Sequence, residues 1–154
     1  MVSCDKSDLG CQGGYLTNAN QYFINHGVPV DSCIPYTAGS GVAPACQSKC
    51  ADGSSMTVYK ASSYKTAGDT QSIKNLIIEG GPVETSFTVY DDFFAYKTGI
   101  YKHTTGGVAG GHAVKMPGWG VEDGQQYGSC ANLWGPSGGM SGIFKSHNPS
   151  LIHT

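Results

Sequence analysis

Hydrophobic residues recur at helical spacing in two segments of the chain. In residues 16–26 they share one face, and Gly27 directly after them is a typical helix stop. In residues 70–79, Ile73, Leu76 and Ile77 also follow at helical spacing. We therefore expect one short helix in each segment.

Other segments alternate or concentrate apolar residues in the manner of strands. They predict strands at 57–65, 83–90, 112–116, 126–134 and 142–145. The polar residues 122–126 separate two apolar runs, so we expect these runs to form an antiparallel hairpin. Residues 28–55 are rich in Pro, Gly and Ser and predict a loop region.

Composition narrows the class of protein. A chain of 154 residues is long enough for one domain with a hydrophobic core, and its six cysteines and twenty-three glycines indicate a loop-rich fold from an oxidising compartment. A net charge of -2, with no arginine, offers no basic surface for nucleic acid. No run of eighteen apolar residues exists, which argues against a membrane-spanning helix. Residues 1–4 lack the pattern of a signal peptide, so we expect an incomplete chain.

Two short segments carry the candidate chemistry. They are Gly110-Gly111-His112-Ala113 and Ala131-Asn132-Leu133-Trp134. A neutral imidazole at His112 can accept a thiol proton, and a carboxamide at Asn132 against its other nitrogen would fix the tautomer. Either segment alone also suits an ordinary turn or strand. The predicted hairpin would bring His112 and Asn132 together, which supplies two members of a Cys-His-Asn system.

Further segments give the chain a strong resemblance to papain-family cysteine peptidases, in particular to the C-terminal part of the cathepsin B-like branch. They are Val2-Ser3-Cys4-Asp5, Gly10-Cys11-Gln12-Gly13-Gly14-Tyr15, Pro35-Tyr36, Gly81-Pro82-Val83-Glu84, residues 86–93, residues 96–101 and residues 110–124. The resemblance implies an α+β papain-like fold that is incomplete here. Residues 1–26 would end the helical lobe, 27–56 would form a disulfide-rich loop region, and 57–154 would form the antiparallel, barrel-like lobe.

The resemblance also implies roles for individual residues. His112 is similar in position to the catalytic histidine, and Asn132 to the asparagine that orients it. The substrate-binding positions implied are Gly13, Gly14, Tyr15, Ser86, Gly111, Ala113 and Trp134. The glycine pair would run beside the substrate backbone, where the lack of Cβ permits close approach. Trp134 would also shield the His-Asn hydrogen bond from water. No cofactor and no metal are expected, and the substrates would be peptides or proteins.

The cysteines are consistent with the same resemblance. It implies disulfides Cys4–Cys46 and Cys33–Cys50, with Cys11 bonded to a cysteine on an N-terminal half. Cys130 has no partner in the family, and we expect a buried thiol there rather than a nucleophile. Spacing alone leaves other pairings open. A zinc site built from Cys33, Cys46, Cys50 and His26 is a weaker alternative, since no Cys-x-x-Cys pair is present.

The chain departs from the family at its nucleophile. No Cys-Gly-Ser-Cys-Trp segment occurs in these 154 residues, and the oxyanion-hole glutamine that precedes it in the family is absent with it. We therefore expect the chain to be inactive alone and to need an N-terminal half. Residues 36–46 contain no histidine, which favours endopeptidase over dipeptidyl-carboxypeptidase action in the assembled enzyme. The family resemblance and the cysteines favour a lysosomal, vacuolar or secreted location.

Other departures leave alternatives open. Gln12 replaces an asparagine, Leu133 replaces a serine, and residues 146–154 no longer follow the family. Gly128 and Gly138 stand where tryptophan is usual, which predicts costly cavities. Pro117 would remove a donor from a predicted strand. A truncated enzyme, a chain altered by sequence error or decay, and a non-catalytic binding or structural module are all compatible with these features.

Overall fold

The first part of the chain is built around one short helix and two disulfides. The computed structural model describes residues 1–132 and 140–147, and the chain divides into two compact units, Met1–Tyr64 and Lys65–Thr154. In the first unit, helix α1 spans Leu16–Asn25 and follows a 3-10 turn at Gly10–Gln12. Gly27 takes a left-handed φ of 79° directly after the helix, so the predicted helix and its glycine stop are confirmed.

Two disulfides and a 3-10 turn at Ala38–Ser40 organise the rest of the first unit. Disulfides join Cys4 to Cys46 and Cys33 to Cys50, the pairs that the family resemblance implied. Because Cys33 and Cys50 are bonded to each other and Cys46 to Cys4, their thiolates cannot hold zinc, and the zinc alternative is wrong.

The predicted strand at 57–65 is also wrong. Tyr59 forms a single antiparallel bridge with Val28, and no ladder extends from it within the described residues. Nearly every residue of this stretch is exposed. The alternation that predicted a strand therefore has no buried face to favour it, and tertiary context decides against the local pattern.

The second unit begins with helix α2, which spans Thr70–Gly80. Asp69 caps it, because its carboxylate accepts hydrogen bonds from the backbone amides of Gln71 and Ser72, both at 3.0 Å. These bonds satisfy amides that have no partner inside the helix. Ile73 is buried on the inner face, and Leu76 and Ile77 pack beside the core, which confirms the predicted helix and its apolar face.

A five-stranded sheet forms the rest of the described second unit. Its strands are β1 Val83–Tyr90, β2 Ile100–Tyr101, β3 Val108–Glu122, β4 Gln125–Ala131 and β5 Ile143–Ser146. The spatial order is β1-β3-β4-β5-β2, with antiparallel neighbours except for the parallel pair β2 and β5. The predicted strands at 83–90, 112–116, 126–134 and 142–145 are confirmed over their described residues, although β3 is much longer than expected and β2 was not predicted.

Pro117 does not end β3. The ladder between β3 and β4 pairs Lys115 with Ala131 and then Gly118 with Ser129, so its register shifts across Pro117. A bulge is a position where a strand tolerates a residue without an amide donor. The expected loss of a ladder bond is therefore accommodated by the irregular pairing.

The core of the second unit lies between α2 and the inner face of the sheet. Its buried residues are Ala67, Ile73, Phe87, Val89, Phe93, Val114, Met116, Cys130 and Phe144. Three of them form an aromatic cluster, since Phe87, Phe93 and Phe144 have ring centroids 5.0–5.1 Å apart. Such offset and edge-to-face pairs add to the stability from burial alone.

Candidate active site

His112 and Asn132 are in direct contact. Nε2 of His112 lies 2.9 Å from Oδ1 of Asn132. His112 lies in β3 and Asn132 directly follows β4, and these two strands are antiparallel neighbours. The backbone amide of Asn132 donates to the carbonyl oxygen of Gly142 at 2.7 Å, which holds the asparagine where its strand ends. The sequence prediction that a hairpin brings the two residues together is confirmed.

A buried phenylalanine side chain packs against the imidazole of His112. Phe87 is its register partner across β1 and β3, and the two rings meet edge to face with centroids 5.9 Å apart. Phe87 is buried and packs on the other side against Phe144. The ring of His112 is half-buried, so its orientation is set by a packed apolar neighbour as well as by Asn132.

This geometry selects one tautomer of His112. A carboxamide oxygen only accepts hydrogen bonds, so Nε2 carries the proton that is donated to Asn132. In the neutral ring Nδ1 then holds the basic lone pair. A histidine arranged in this way can remove a proton at Nδ1 and return it there while its ring angle stays fixed.

Three of the expected substrate-binding residues lie on β1 and β3. Ser86 pairs with Ala113, and Gly111 pairs with Thr88 two residues along the same ladder. Ala113 and Gly111 occupy exposed positions that alternate with the core-facing positions of His112 and Val114. The ladder thus groups these small residues on one face of the sheet and places His112 on the other.

The glycine pair belongs to the first unit. A Cβ on Gly14 would lie 2.4 Å from Cγ of Asp8, whereas a Cβ on Gly13 meets nothing within 4 Å. The Asp8 carboxylate accepts from the backbone amide of Tyr15 at 3.0 Å and from the side chain of Asn18 at 2.9 Å. Gly14 is therefore needed locally, because the carboxylate that holds the start of α1 occupies the space of its side chain.

The free thiols have contrasting surroundings. Cys130 is 1% exposed, and burial raises the pKa of its thiol to about 12. Cys11 is exposed and lies in the 3-10 turn at Gly10–Gln12 rather than at the start of an α-helix. The expectation of a buried, inert thiol at Cys130 is confirmed. Trp134, Leu133 and Gly138 lie outside the described residues.

Comparison with known proteins decides the family. Residues 1–150 match the family described as papain family cysteine protease. The chain belongs to this family. It is 44% identical over 149 residues to Cathepsin B-like CP3 of Giardia intestinalis, and 37% identical over 166 residues to the Gut-specific cysteine proteinase of Caenorhabditis elegans. Each alignment covers 94% of this chain and 50% of the relative.

A solved structure supports the same branch of the papain family. The fold matches that of proCathepsin B S9 from Trypanosoma congolense with a TM-score of 0.87 and 34% identity, over 96% of this chain and 53% of that chain. The chain is thus cathepsin B-like, and the α+β papain-like fold is confirmed. It spans about half the length of the curated relatives it matches.

The described residues contain neither a cluster of metal ligands nor a membrane-spanning helix. Within residues 1–132 and 140–147, no group of three or more His, Cys, Asp or Glu side chains is placed to hold a metal ion. In the same residues, no helix combines the length and apolar character needed to cross a bilayer.

The sequence did not reveal three residues that hold candidate site residues or their loops, each within its own unit. Asp8 holds the Gly13-Gly14 segment, Phe87 supports the His112 ring, and Asp92 binds the loop that leads into β3. Phe87 was foreseeable as an inward residue of a predicted strand. Asp8 bonds an amide seven residues away and Asp92 bonds amides twelve and thirteen residues away, and no periodic pattern in the sequence indicates such pairs.

Proposed function

We propose that this chain supplies the histidine and asparagine of a cathepsin B-like cysteine endopeptidase, and that the nucleophilic thiol and the oxyanion-hole glutamine come from polypeptide outside residues 1–154. On this proposal the chain is inactive alone. The observation that carries it is the 2.9 Å contact between Nε2 of His112 and Oδ1 of Asn132. That contact leaves the Nδ1 lone pair as the proton acceptor for a thiol.

The chain's own cysteines are poor candidates for the nucleophile. Four of the six are paired in disulfides, and the thiol of Cys130 is buried with its pKa raised to about 12. Cys11 is exposed, but the turn around it provides no α-helix dipole to stabilise a thiolate. Its exposure suits the role that the family resemblance implies, which is a disulfide to an N-terminal half.

The proposed mechanism uses His112 twice. With His112 as base, the thiol loses its proton to Nδ1, and the thiolate attacks the carbonyl carbon of the scissile peptide. The imidazolium then protonates the leaving amine, which releases the first product and leaves a thioester. Water attacks the thioester while His112 takes its proton, and the acid product leaves as the thiol is restored. Asn132 keeps the imidazole at the same angle in both steps.

Peptides or proteins are the proposed substrates. Gly13 and Gly14 would lie beside the substrate backbone, and Tyr15, Ser86, Gly111, Ala113 and Trp134 would line the groove. The pairing of half-buried Ser86 with exposed Ala113 across β1 and β3 supports this, since two small side chains occupy adjacent positions on the strands. The absence of histidine from residues 36–46 supports endopeptidase action.

The lobes and the location are part of the same proposal. Residues 1–26 would complete a helical lobe, 27–56 would be its disulfide-rich continuation, and 57–154 would form the barrel-like lobe. The two disulfides support assembly in an oxidising compartment and a lysosomal, vacuolar or secreted location.

The test begins with the intact mass of the native protein from its source, under non-reducing and reducing conditions. We expect a mass well above 16.1 kDa, or a second chain that is released on reduction through Cys11. That larger species should hydrolyse a peptide amide, and the 154-residue chain alone should not. If the chain alone hydrolyses the peptide and its Cys11→Ser variant does not, the nucleophile lies within the chain. That result would contradict the proposal of an external thiol. A native species of only this length, without activity, would favour a non-catalytic binding module.

A further inference from the structure

A carboxylate in the second unit clamps the loop that leads into β3. Asp92 lies in the 3-10 turn Asp91–Ala95 that directly follows β1. Its two oxygens accept hydrogen bonds from the Tyr101 hydroxyl at 2.6 Å, His103 Nδ1 at 3.1 Å, the Thr104 amide at 2.8 Å, the Thr104 hydroxyl at 3.3 Å and the Thr105 amide at 3.1 Å. One side chain therefore fixes three consecutive residues of the loop and the strand before it.

The neighbouring aspartate extends this clamp to Gly107, the residue directly before β3. Asp91 Oδ2 accepts from the amide of Gly107 at 2.8 Å, and the amide of Asp91 donates to the carbonyl oxygen of Gly107 at 3.1 Å. A Cβ on Gly106 would lie 2.6 Å from Cβ of Asp91, so the loop and the turn are in close contact. The chain then enters β3 at Val108, opposite Tyr90.

The clamp adjoins the irregular end of the ladder between β1 and β3. The ladder is irregular between Val89 and Tyr90 and regular from Val89 inward, where Phe87 meets His112. A one-residue slip of β3 would turn the side chain of His112 to the opposite face of the sheet, away from Asn132. The start of β3 must therefore be held for the His112–Asn132 contact to form.

Aromatic packing provides a second link from the same turn. Phe93 follows Asp92 directly, is buried, and packs edge to face on Phe87 with ring centroids 5.1 Å apart. Phe87 in turn contacts the ring of His112. The turn that carries the clamping carboxylates thus also carries the residue that packs behind the aromatic neighbour of His112.

Hydrogen bonds favour the charged form of the Asp92 carboxyl. The hydrogen bond from the Tyr101 hydroxyl, with the amide of Thr104 next, holds the pKa of the Asp92 carboxyl well below its ordinary range. His103 stacks on Tyr90 with ring centroids 3.7 Å apart, so this histidine is placed beside the carboxylate by packing as well as by its hydrogen bond.

We propose that Asp92 is a positioning residue for His112: its carboxylate fixes loop 102–107 and the turn at 91–95, and through them the register and ring support that direct Nε2 of His112 at Asn132. The catalytic meaning of this role depends on the proposed function, because it assumes that His112 is the catalytic base. The structural claim can be tested without any nucleophile.

The test measures the tautomer of His112 by long-range proton–nitrogen NMR in the full 154-residue chain, with a His112→Gln variant to assign its signals. We expect a single Nε2–H form in the wild-type chain. Asp92→Asn should replace it with two interconverting tautomers, and Asp92→Glu should restore part of the wild-type pattern. Tyr101→Phe removes one hydrogen bond to Asp92 and should cause the same change to a smaller extent. This variant replaces Asp92→Asn in the test if Asp92→Asn does not fold.

A matched control separates positioning from general loss of stability. Asp69→Ala removes another carboxylate that anchors backbone amides in the same unit, at the start of α2, and should leave the His112 signals unchanged. The proposal is overturned if Asp92→Asn and Tyr101→Phe lose amide protection at Thr104 and Thr105 while His112 keeps its single tautomer. That result would leave the proposed function intact. Failure of the proposed function would instead appear as an inactive native assembly with normal His112 signals.

Discussion

Asn132 accepts a hydrogen bond from Nε2 of His112 over 2.9 Å, between residues twenty positions apart in the chain. Three features of the second unit position the two residues: the antiparallel pairing of β3 and β4, the bond from the Asn132 amide to Gly142, and the packing of Phe87 against the imidazole. None of these needs a bound substrate. The histidine and asparagine of the proposed catalytic system are therefore preorganised within the second unit.

Removing His112 should have a larger effect than removing Asn132. In the assembled enzyme we expect His112→Ala to lower kcat by about 10³-fold or more, because both proton transfers lose their carrier. Asn132→Ala should lower it by up to about 10²-fold, because the base remains but its ring angle is no longer fixed. Steady-state hydrolysis of a peptide amide measures both values. Near-normal turnover in the His112 variant would contradict the assignment of His112 as the catalytic base.

The two unpaired thiols should differ sharply in reactivity. In the folded 154-residue chain a maleimide should modify Cys11 quickly, since that side chain is exposed. Cys130 should react only after unfolding, because it is 1% exposed and its pKa is raised to about 12, which leaves almost no thiolate up to pH 9. Mass spectrometry counts the labels, with Cys11→Ser as the control. Fast labelling of Cys130 in that variant would show that β4 opens to solvent in the folded chain.

The sequence predicted those parts of the fold in which local pattern and burial agree. Helix α2 has its inward residues at helical spacing and an aspartate at its start, and β1 has Thr85, Phe87 and Val89 inward at every second position. Both were placed almost to the residue. Prediction failed at 57–65, where alternation occurs without burial, and the strand predicted at 112–116 was too short, because a bulge across Pro117 lets β3 continue to Glu122.

The candidate site was also predictable only where a local pattern in the sequence indicated it. His112 and Asn132 were predictable because a hairpin between two apolar runs brings its strands together. The clamp from Asp92 to Thr104 and Thr105 was not, because a carboxylate that binds amides more than ten residues away leaves no periodic trace. Gly14 was expected to border the substrate backbone, and the structure adds a local reason for this glycine, because a Cβ there would meet the side chain of Asp8.

Two isoleucines of α2 give a matched test of the core. Ile73 is 2% exposed and Ile78 is 72% exposed on the same helix. Ile73→Ala should lower the free energy of unfolding by about 2–5 kcal/mol, from lost burial and the cavity it leaves. Ile78→Ala should change it by less than about 0.5 kcal/mol. Denaturant titration followed by circular dichroism measures both. Equal losses would mean that α2 does not pack on the sheet through Ile73.

The cap of α2 provides a second matched pair. Asp69→Ala removes the acceptor for the amides of Gln71 and Ser72 and should lower Tm by a few degrees. Asp69→Asn keeps an oxygen that can accept the same bonds, and asparagine caps helices about as well as aspartate, so its Tm should stay close to that of the wild-type chain. A loss of equal size in both variants would assign the effect to the charge rather than to the cap.

The clamp at Asp92 should also give stability a defined pH dependence. Hydrogen bonding in the folded chain, chiefly from Tyr101, lowers the pKa of this carboxyl, while in the unfolded chain it titrates near its ordinary value of about 3.9. A lowered folded pKa means that the charged clamp contributes fully above the unfolded value and is lost as pH falls toward the folded one. The Tm deficit of Asp92→Asn, followed by near-ultraviolet circular dichroism, should therefore be largest and constant from pH 5 to pH 7 and should shrink below about pH 4. Asp31→Asn, which changes an exposed carboxylate in the first unit, should show little deficit at any of these values. If the Tm deficit of Asp92→Asn grew as the pH fell, its sign would contradict a carboxylate that is held in its charged form.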